Sequence, residues 1–267
     1  MGIQGDYHIH TPLCQHATGP IEACVERGIE LGLREIGFAC HNPLPAGVGS
    51  DVRMREDQLD DYVRQVTALR ERYRGRIEVL LGIEMDYVEG LEEYLAEQVD
   101  RYPWDYIVGS VHYLDCECQL GAWKGELPFD AEEQYTRYYG LVRHMVRSGL
   151  CDILSHLDVP KRSGRMPGQR GLQELDLTLK EIARADLCIE INTSGYRHAD
   201  LELKETYPAF SIVEQAMALN IPFIVNSDAH APEQVGLKFK EVEAFLRQKG
   251  CRQLARFKQR RREMYPI

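Results

Sequence analysis

Short apolar runs recur at 7–10, 35–40, 78–84, 106–112, 152–156, 187–192 and 222–226, and an amphipathic stretch follows each one. The runs are rich in Ile, Val, Leu or aromatics and are bounded by Gly, Pro or charge, as buried strands are. The intervening stretches, 21–31, 55–73, 91–102, 132–147, 172–185 and 211–219, read as helices, and a last one at 238–249 closes the chain. Pro20 suits a first helical position. Parallel neighbours need a crossover connection, and near-continuous apolar strands need both faces covered, so seven such units predict an α/β fold built on a parallel sheet. A closed barrel of about seven strands and an open doubly wound sheet both satisfy this pattern. With 267 residues, 44% of them hydrophobic, the chain can bury one large core, and a single domain over 1–267 is expected.

Charge and cysteine usage narrow the functional classes. Lys and Arg number 32 against 42 Asp and Glu, a formal charge of −10, which repels a polyanion and argues against a nucleic-acid partner. The sequence contains neither an 18-residue apolar run nor a charged-then-apolar leader after Met1, so the expectation is a cytoplasmic protein with no membrane partner. Oligomeric state leaves no trace in the pattern. The eight cysteines are scattered and read as reduced, mostly buried thiols. Cys116 and Cys118 form one close pair without a second at zinc-ribbon spacing, which is too little for a metal site.

Polar residues gather where the runs end. His8 and His10 end the first, His41 follows the second, Glu84 and Asp86 end the third, and His112 ends the fourth. His156 and Asp158 end the fifth, Asn192 the sixth, and Asp228 with His230 the seventh. In a parallel sheet all of these ends lie on one face of the molecule. Strand residues at i and i+2 point to the same side, so His8 with His10, and Asp228 with His230, can address one centre. One imidazole at a strand end is usually a packed residue. Seven of them, counting His16 just beyond the first run, crowded together with no cation would compete for few acceptors, whereas neutral imidazoles with two or three carboxylates satisfy divalent ions. Ligands without thiolates suit zinc, iron or manganese, which make a hydroxide from water near neutral pH and clamp an in-line displacement, so phosphate ester hydrolysis is the expected chemistry. His144, mid-helix, reads as solvated or packed, and His198 is the other histidine outside the set.

The ordered set His8-x-His10, His16, His41, Gly82-Ile83-Glu84, Gly109-Ser110-Val111-His112, Ser155-His156 and Ser227-Asp228-Ala229-His230 resembles the polymerase and histidinol phosphatase (PHP) superfamily of metal-dependent phosphoesterases. The resemblance runs from Asp6 to His230 and implies a distorted seven-stranded (β/α)7 barrel with two to three divalent metals at the C-terminal ends of the strands. It implies that His8, His10, Glu84 and Asp228 hold the first metal. Bridging Glu84, with His112 and His156, would hold the second, and His16, His41 and His230 the third. Many members carry a carboxylate just before the second-strand histidine. Here that position is Cys40, which reads as a buried inert thiol rather than a thiolate ligand.

Within the superfamily, Asp6 to Thr11 with Cys14 to Ala17, His156-Leu157-Asp158 with Lys161-Arg162, and Glu190 to Arg197 look most like the histidinol-phosphate phosphatases. That likeness implies hydrolysis of L-histidinol phosphate to histidinol and phosphate in histidine biosynthesis, with a metal-bridging hydroxide as nucleophile. Arg197 and Arg162 are the candidates for gripping the phosphate of a small phosphorylated substrate, since a guanidinium fork matches its outer oxygens. Lys161 and Arg165 are further candidates, and Asp158 is the candidate acid for the leaving oxygen or its orienting partner. The loop 113–130 is expected to cover the site, with Asp115, Glu117 and Glu126 facing a substrate cation beside Trp123. The alternatives are a related phosphoesterase acting on nucleotides, nucleic acid 3′ ends or another small phosphoester, or a catalytically silent metal-binding module.

Overall fold

A computed structural model describes residues 2–45, 48–49, 52–197 and 204–267, and in it seven parallel strands pair in sequence order. They are β1 (Gly5–Ile9), β2 (Glu35–Phe38), β3 (Glu78–Asp86), β4 (Tyr106–Ser110), β5 (Ile153–Leu154), β6 (Cys188–Asn192) and β7 (Phe223–Asn226). Helices α1 (Ile21–Glu30), α2 (Leu59–Arg72), α3 (Glu92–Arg101), α4 (Ala131–Ser148), α5 (Gln169–Ala185), α6 (Phe210–Ala218) and α7 (Phe239–Gln248) follow them one by one. None of the helices among the described residues is long and apolar enough to cross a membrane.

The choice between barrel and open sheet is decided where β7 returns to β1. Ala229 N–H donates to the His8 carbonyl at 3.0 Å, and His10 N–H donates to the Ala229 carbonyl at 2.8 Å. Nearer the start of β1, side chains take the place of the ladder. Asn226 Oδ1 accepts the Tyr7 N–H at 2.9 Å, and the buried Asp6 carboxylate accepts the N–H groups of Ser227 and Gly236, each at 3.0 Å. The result is a distorted (β/α)7 barrel closed partly by side chains.

Alternation along the strands sorts the core into two clusters. Tyr7, Leu80, Tyr106, Val108, Ile153, Cys188 and Ile224 pack together on the inner side of the barrel, while their sequence neighbours Val79, Leu81, Ile107, Leu154, Ile189 and Val225 join the cluster beneath the helices. Tyr106 fills much of the interior, and its hydroxyl donates to the Phe38 carbonyl at 3.2 Å. Gly37 makes this fit, because a Cβ there would overlap that hydroxyl.

The chain does not close on α7, as the sequence pattern suggests. A hairpin of β8 (Gln253–Lys258) and β9 (Arg261–Pro266) follows and adds Ala255 and Phe257 to the inner cluster. Its basic residues meet acids at the starts of β2, β3, β5 and β6. Arg256 pairs with Glu35 at 3.1 Å, Lys258 with Glu78, Arg260 with Asp152 at 3.0 Å and Arg262 with Asp186 at 2.7 Å. The hairpin therefore plugs the N-terminal mouth of the barrel. Charge masked it in the sequence, since its partners lie 76 to 221 residues away.

β1, β2, β4 and β5 also stop earlier than the apolar runs. β5 is only Ile153–Leu154, and His10, His41, His112, His156, Asp228 and His230 all lie just past a strand end. There, freed from the ladder, the backbone can turn side chains toward the barrel axis. Overpacking a filled interior costs about 1–3 kcal/mol. Gly37→Ala should lower unfolding free energy by roughly that much, and Tyr106→Phe should recover part of the loss. Equal losses in both backgrounds, read by denaturant titration, would contradict the packing described.

Candidate metal centre

Glu84, on β3 and 1% exposed, stands at the centre of the C-terminal mouth. Its Oε2 lies 3.4 Å from His8 Nε2, 3.5 Å from His10 Nε2 and 2.8 Å from His41 Nδ1. Its Oε1 lies 3.2 Å from His156 Nε2 and 3.8 Å from His112 Nε2, and accepts the Ser110 hydroxyl. Asp228 Oδ1 lies 3.1 Å from His10 Nε2 and 3.4 Å from His230 Nδ1. Two of these residues sit in backbone conformations that side chains rarely adopt, His156 at φ 22° and Asp228 at φ 53°. Strain of this kind persists where the surroundings over-determine it, commonly at functional sites.

Hydrogen-bond accounting shows that the rings fit metal ions. His16 Nδ1 faces the Cys14 carbonyl at 2.8 Å and His230 Nδ1 faces the Asp228 carbonyl at 2.9 Å. Only an N–H satisfies a carbonyl, so in the neutral rings both Nε2 atoms carry lone pairs. Those two lone pairs face each other at 2.8 Å. Likewise His8 Nδ1 faces Glu190 Oε1 at 2.7 Å, so in the neutral ring its Nε2 lone pair is aimed at an anionic Glu84. His8 Nε2, both His10 ring nitrogens and Glu84 Oε2 are buried with no hydrogen-bond partner among the described residues. Lone pairs converging on lone pairs and carboxylates repel, and a divalent cation between them removes the conflict.

The ionisation balance shows the positive charge that the cluster demands. Burial opposes charge on Glu84, but His41, His8 and His112 outweigh it and hold the carboxyl well below its usual range, while against burial Glu190 and Glu84 raise His8, and Asp86 and Glu84 raise His112. Asp228 is held low against burial by His8, His10 and His230. Burial, with His16 and His41 nearby, lowers His230 to about 4, and burial with His230 beside it also lowers His10. Both rings are therefore neutral and ready as ligands near neutral pH.

Candidate donor atoms within 4.8 Å of one another form sets that match part of the expected assignment. His8, His10 and Glu84 form one, and His16, His41 and His230 another. The middle set differs, comprising His41, Glu84, Asp86 and His112, with His156 approaching Glu84 from the side. Cys40 belongs to none of these sets. Its thiol lies between the Thr11 hydroxyl and carbonyl, whereas Cys14, unremarked in the sequence, lies within reach of His10 and His230. Cys116 and Cys118 are free and outside these sets. His144 is half-exposed and pairs with Glu89 at 2.9 Å, and His198 lies outside the described residues.

A cleft of about 430 Å³ opens over the cluster. Arg197 and Arg162 line one wall, beside Ser194 and Tyr207. Arg197 is anchored by donating to the Ser227 carbonyl at 3.1 Å and the Asp228 carbonyl at 2.7 Å. Arg162 is exposed and makes no hydrogen bond or ion pair with the described residues. Burial, with Arg162 nearby, lowers the pKa of Arg197 against the pull of Asp228 and Asp6. Gly195 lets this wall form, because a Cβ there would strike the Glu205 carbonyl.

Three expectations change. Asp158 does not line the cleft. It is buried, accepting the Ala209 N–H at 2.8 Å and pairing with Lys161 at 3.0 Å, so it anchors the turn behind Arg162 and stands outside the cleft lining. Lys161 is likewise consumed by Asp158, Glu205 and the Thr206 carbonyl, and Arg165 donates to the Phe129 carbonyl. In the 113–130 loop, Asp115 caps its own turn through Gln119 and Leu120 N–H, and Glu117 and Glu126 are exposed outside the cleft. Trp123 and Tyr113 do line it.

Sequence reasoning missed the residues that hold the ligands. Glu190 accepts from His8 Nδ1, from Asn192 and Asn226 side-chain amides at 2.8 Å each, and from His156 N–H at 3.2 Å. Its signal was a carboxylate inside an apolar strand, Cys188-Ile189-Glu190-Ile191, which is costly without partners. Arg53, buried in the loop after β2, carried no such signal.

Comparison with known proteins bears on this geometry. A model of the PHP domain matches residues 6–194, and one described as PHP-associated matches residues 212–248. A protein of Deinococcus radiodurans named "Probable histidinol-phosphatase" is 36% identical over 257 residues, covering 92% of this chain and 94% of the relative. The "Histidinol-phosphatase" of Bacillus subtilis is 28% identical, covering 90% of this chain and 97% of the relative. A solved histidinol phosphate phosphatase of Lactococcus lactis, complexed with zinc, L-histidinol and phosphate, superposes with a TM-score of 0.82 at 20% identity, covering 97% of this chain and 98% of the other. At that identity the likeness speaks to the fold.

Because Glu84 is shared between two donor sets and His16 belongs to one, Glu84→Gln should strip metal from both sets and His16→Ala only from the outer one. Elemental analysis of the purified variants reads this directly, and equal losses would contradict the grouping.

Proposed function

The chain belongs to the PHP-domain family, and from that premise we propose that it is a metal-dependent phosphatase that hydrolyses L-histidinol phosphate to L-histidinol and phosphate. The observation that carries the reading is the meeting, in one cleft, of a histidine–carboxylate cluster fit for divalent metals with two arginines, Arg197 and Arg162. Relatives that share nine tenths or more of this chain's length and bear histidinol-phosphatase names support it. The reaction belongs to histidine biosynthesis.

Two to three divalent ions, zinc, iron or manganese, fit the donor sets, held by His8, His10, Glu84 and Asp228, by Glu84 with His112 and its neighbours His41 and His156, and by His16, His41 and His230. When bound, such ions supply a Lewis acid and a hydroxide nucleophile near neutral pH. The chain supplies the rest. Arg197, fixed by two carbonyls, turns its remaining donors toward the cleft, and Arg162 offers an uncommitted fork, so the pair grips the outer oxygens of a phosphate dianion. Asp158 and Lys161 hold the turn that carries Arg162. Trp123 and Tyr113 give the cleft an aromatic face suited to an imidazole ring.

Phosphate release from metal-reconstituted protein against histidinol phosphate, nucleotides and sugar phosphates tests the proposal. Histidinol phosphate should be preferred at least ten-fold in kcat/KM, and Arg197→Met should cost roughly 10²–10³-fold, as loss of a charge-stabilising donor does. A ten-fold preference for a nucleotide would overturn the substrate assignment.

A further inference from the structure

The loop after β2 carries Arg53, 2% exposed and pressed against the metal-ligand cluster. Its NH1 reaches Asp86 Oδ2 at 2.6 Å. Asp86 Oδ1 in turn faces His112 Nδ1, which fixes the ring with Nε2 directed to Glu84. Three of the four remaining guanidinium donors are placed, Nε on the Gly49 carbonyl at 2.5 Å, NH1 on the Asn42 carbonyl at 3.2 Å and NH2 on the Tyr113 hydroxyl at 3.4 Å. Gln15 secures the Arg53 carbonyl at 2.8 Å, and Asn42 Oδ1 accepts the Asp86 N–H at 2.9 Å.

A cation beside divalent metals raises the local positive charge, so electrostatics alone disfavours an arginine here. What it offers is geometry. Asp86 lies within reach of the same donor set as His41, Glu84 and His112, and could swing to a metal if nothing held it. We infer that Arg53 is a positioning residue of the middle metal set, fastening Asp86 as the partner of His112 Nδ1 so that Nε2 is presented as the ligand. This rests on the metal-dependent reading above. Partners of this kind typically change metal affinity by 10–100-fold.

The test is the affinity of zinc for the metal-stripped protein, read by competition with a chromophoric chelator, in Arg53→Met, Asp86→Asn and the double variant. The expected result is a 10–100-fold weaker middle site in each single variant and no further loss in the double. Excess zinc should restore most of kcat without changing KM. Additive losses, or unchanged zinc affinity with a raised KM, would overturn the inference, the second because it would make Arg53 a substrate contact. Arg53→Lys, which keeps the charge without the fork, should fold normally and fall between wild type and Arg53→Met. Should it bind zinc as tightly as wild type, the fork has no such role. Zinc affinity is read without substrate, so failure to hydrolyse histidinol phosphate would count against the proposed substrate and leave this result standing.

Discussion

The Glu84 carboxylate is the hinge of the arrangement. A carboxylate buried this deeply is tolerated only with strong compensation, and here five imidazoles lie within 4 Å of it. Neutral rings supply little of that compensation. Where Nδ1 is committed to Glu190, to Asp86 or to a backbone carbonyl, the nitrogen left over in the neutral ring is a bare acceptor, so His8 and His112 steady the anion only by taking up a proton, toward which the carboxylates draw both. Divalent cations resolve both halves of the conflict, the excess of lone pairs and the excess of negative charge.

From this constraint the roles of the surrounding residues follow. Glu190, Asp86 and the carbonyls of Cys14 and Asp228 set the tautomers, which is how supporting groups tune metal ligands. Barrel closure and metal binding share parts, because Glu190 binds Asn226 and Asn226 binds the β1 backbone at Tyr7. Plugging the opposite mouth with a basic hairpin leaves the C-terminal mouth as the open one, as in barrels generally.

Much of this was legible in the sequence because the fold and the site depend on strand ends. Apolar runs marked the strands, and His8, His10, Glu84, His112, His156, Asp228 and His230 marked where each one ended. Supporting contacts were not legible, because they join residues with no local pattern. Arg53 and Asp86 are 33 residues apart and His8 and Glu190 are 182 apart. Asp158 misled for the opposite reason. Its i+2 relation to His156 would place both on one side of a strand, but β5 ends at Leu154 and a turn carries Asp158 away. The final hairpin was hidden by its charge, since Arg256, Lys258, Arg260 and Arg262 read as a solvated surface until their acidic partners are known.

Anomalous X-ray diffraction at the zinc edge, from crystals grown with zinc, tests most directly whether the convergent lone pairs are a metal centre. The account predicts anomalous peaks at about 2.0–2.2 Å from the ligand nitrogens and carboxylate oxygens, with His16 and His230 Nε2 drawn to one ion. An ion-free map in which those two nitrogens still face each other, bridged by a shared proton, would contradict it.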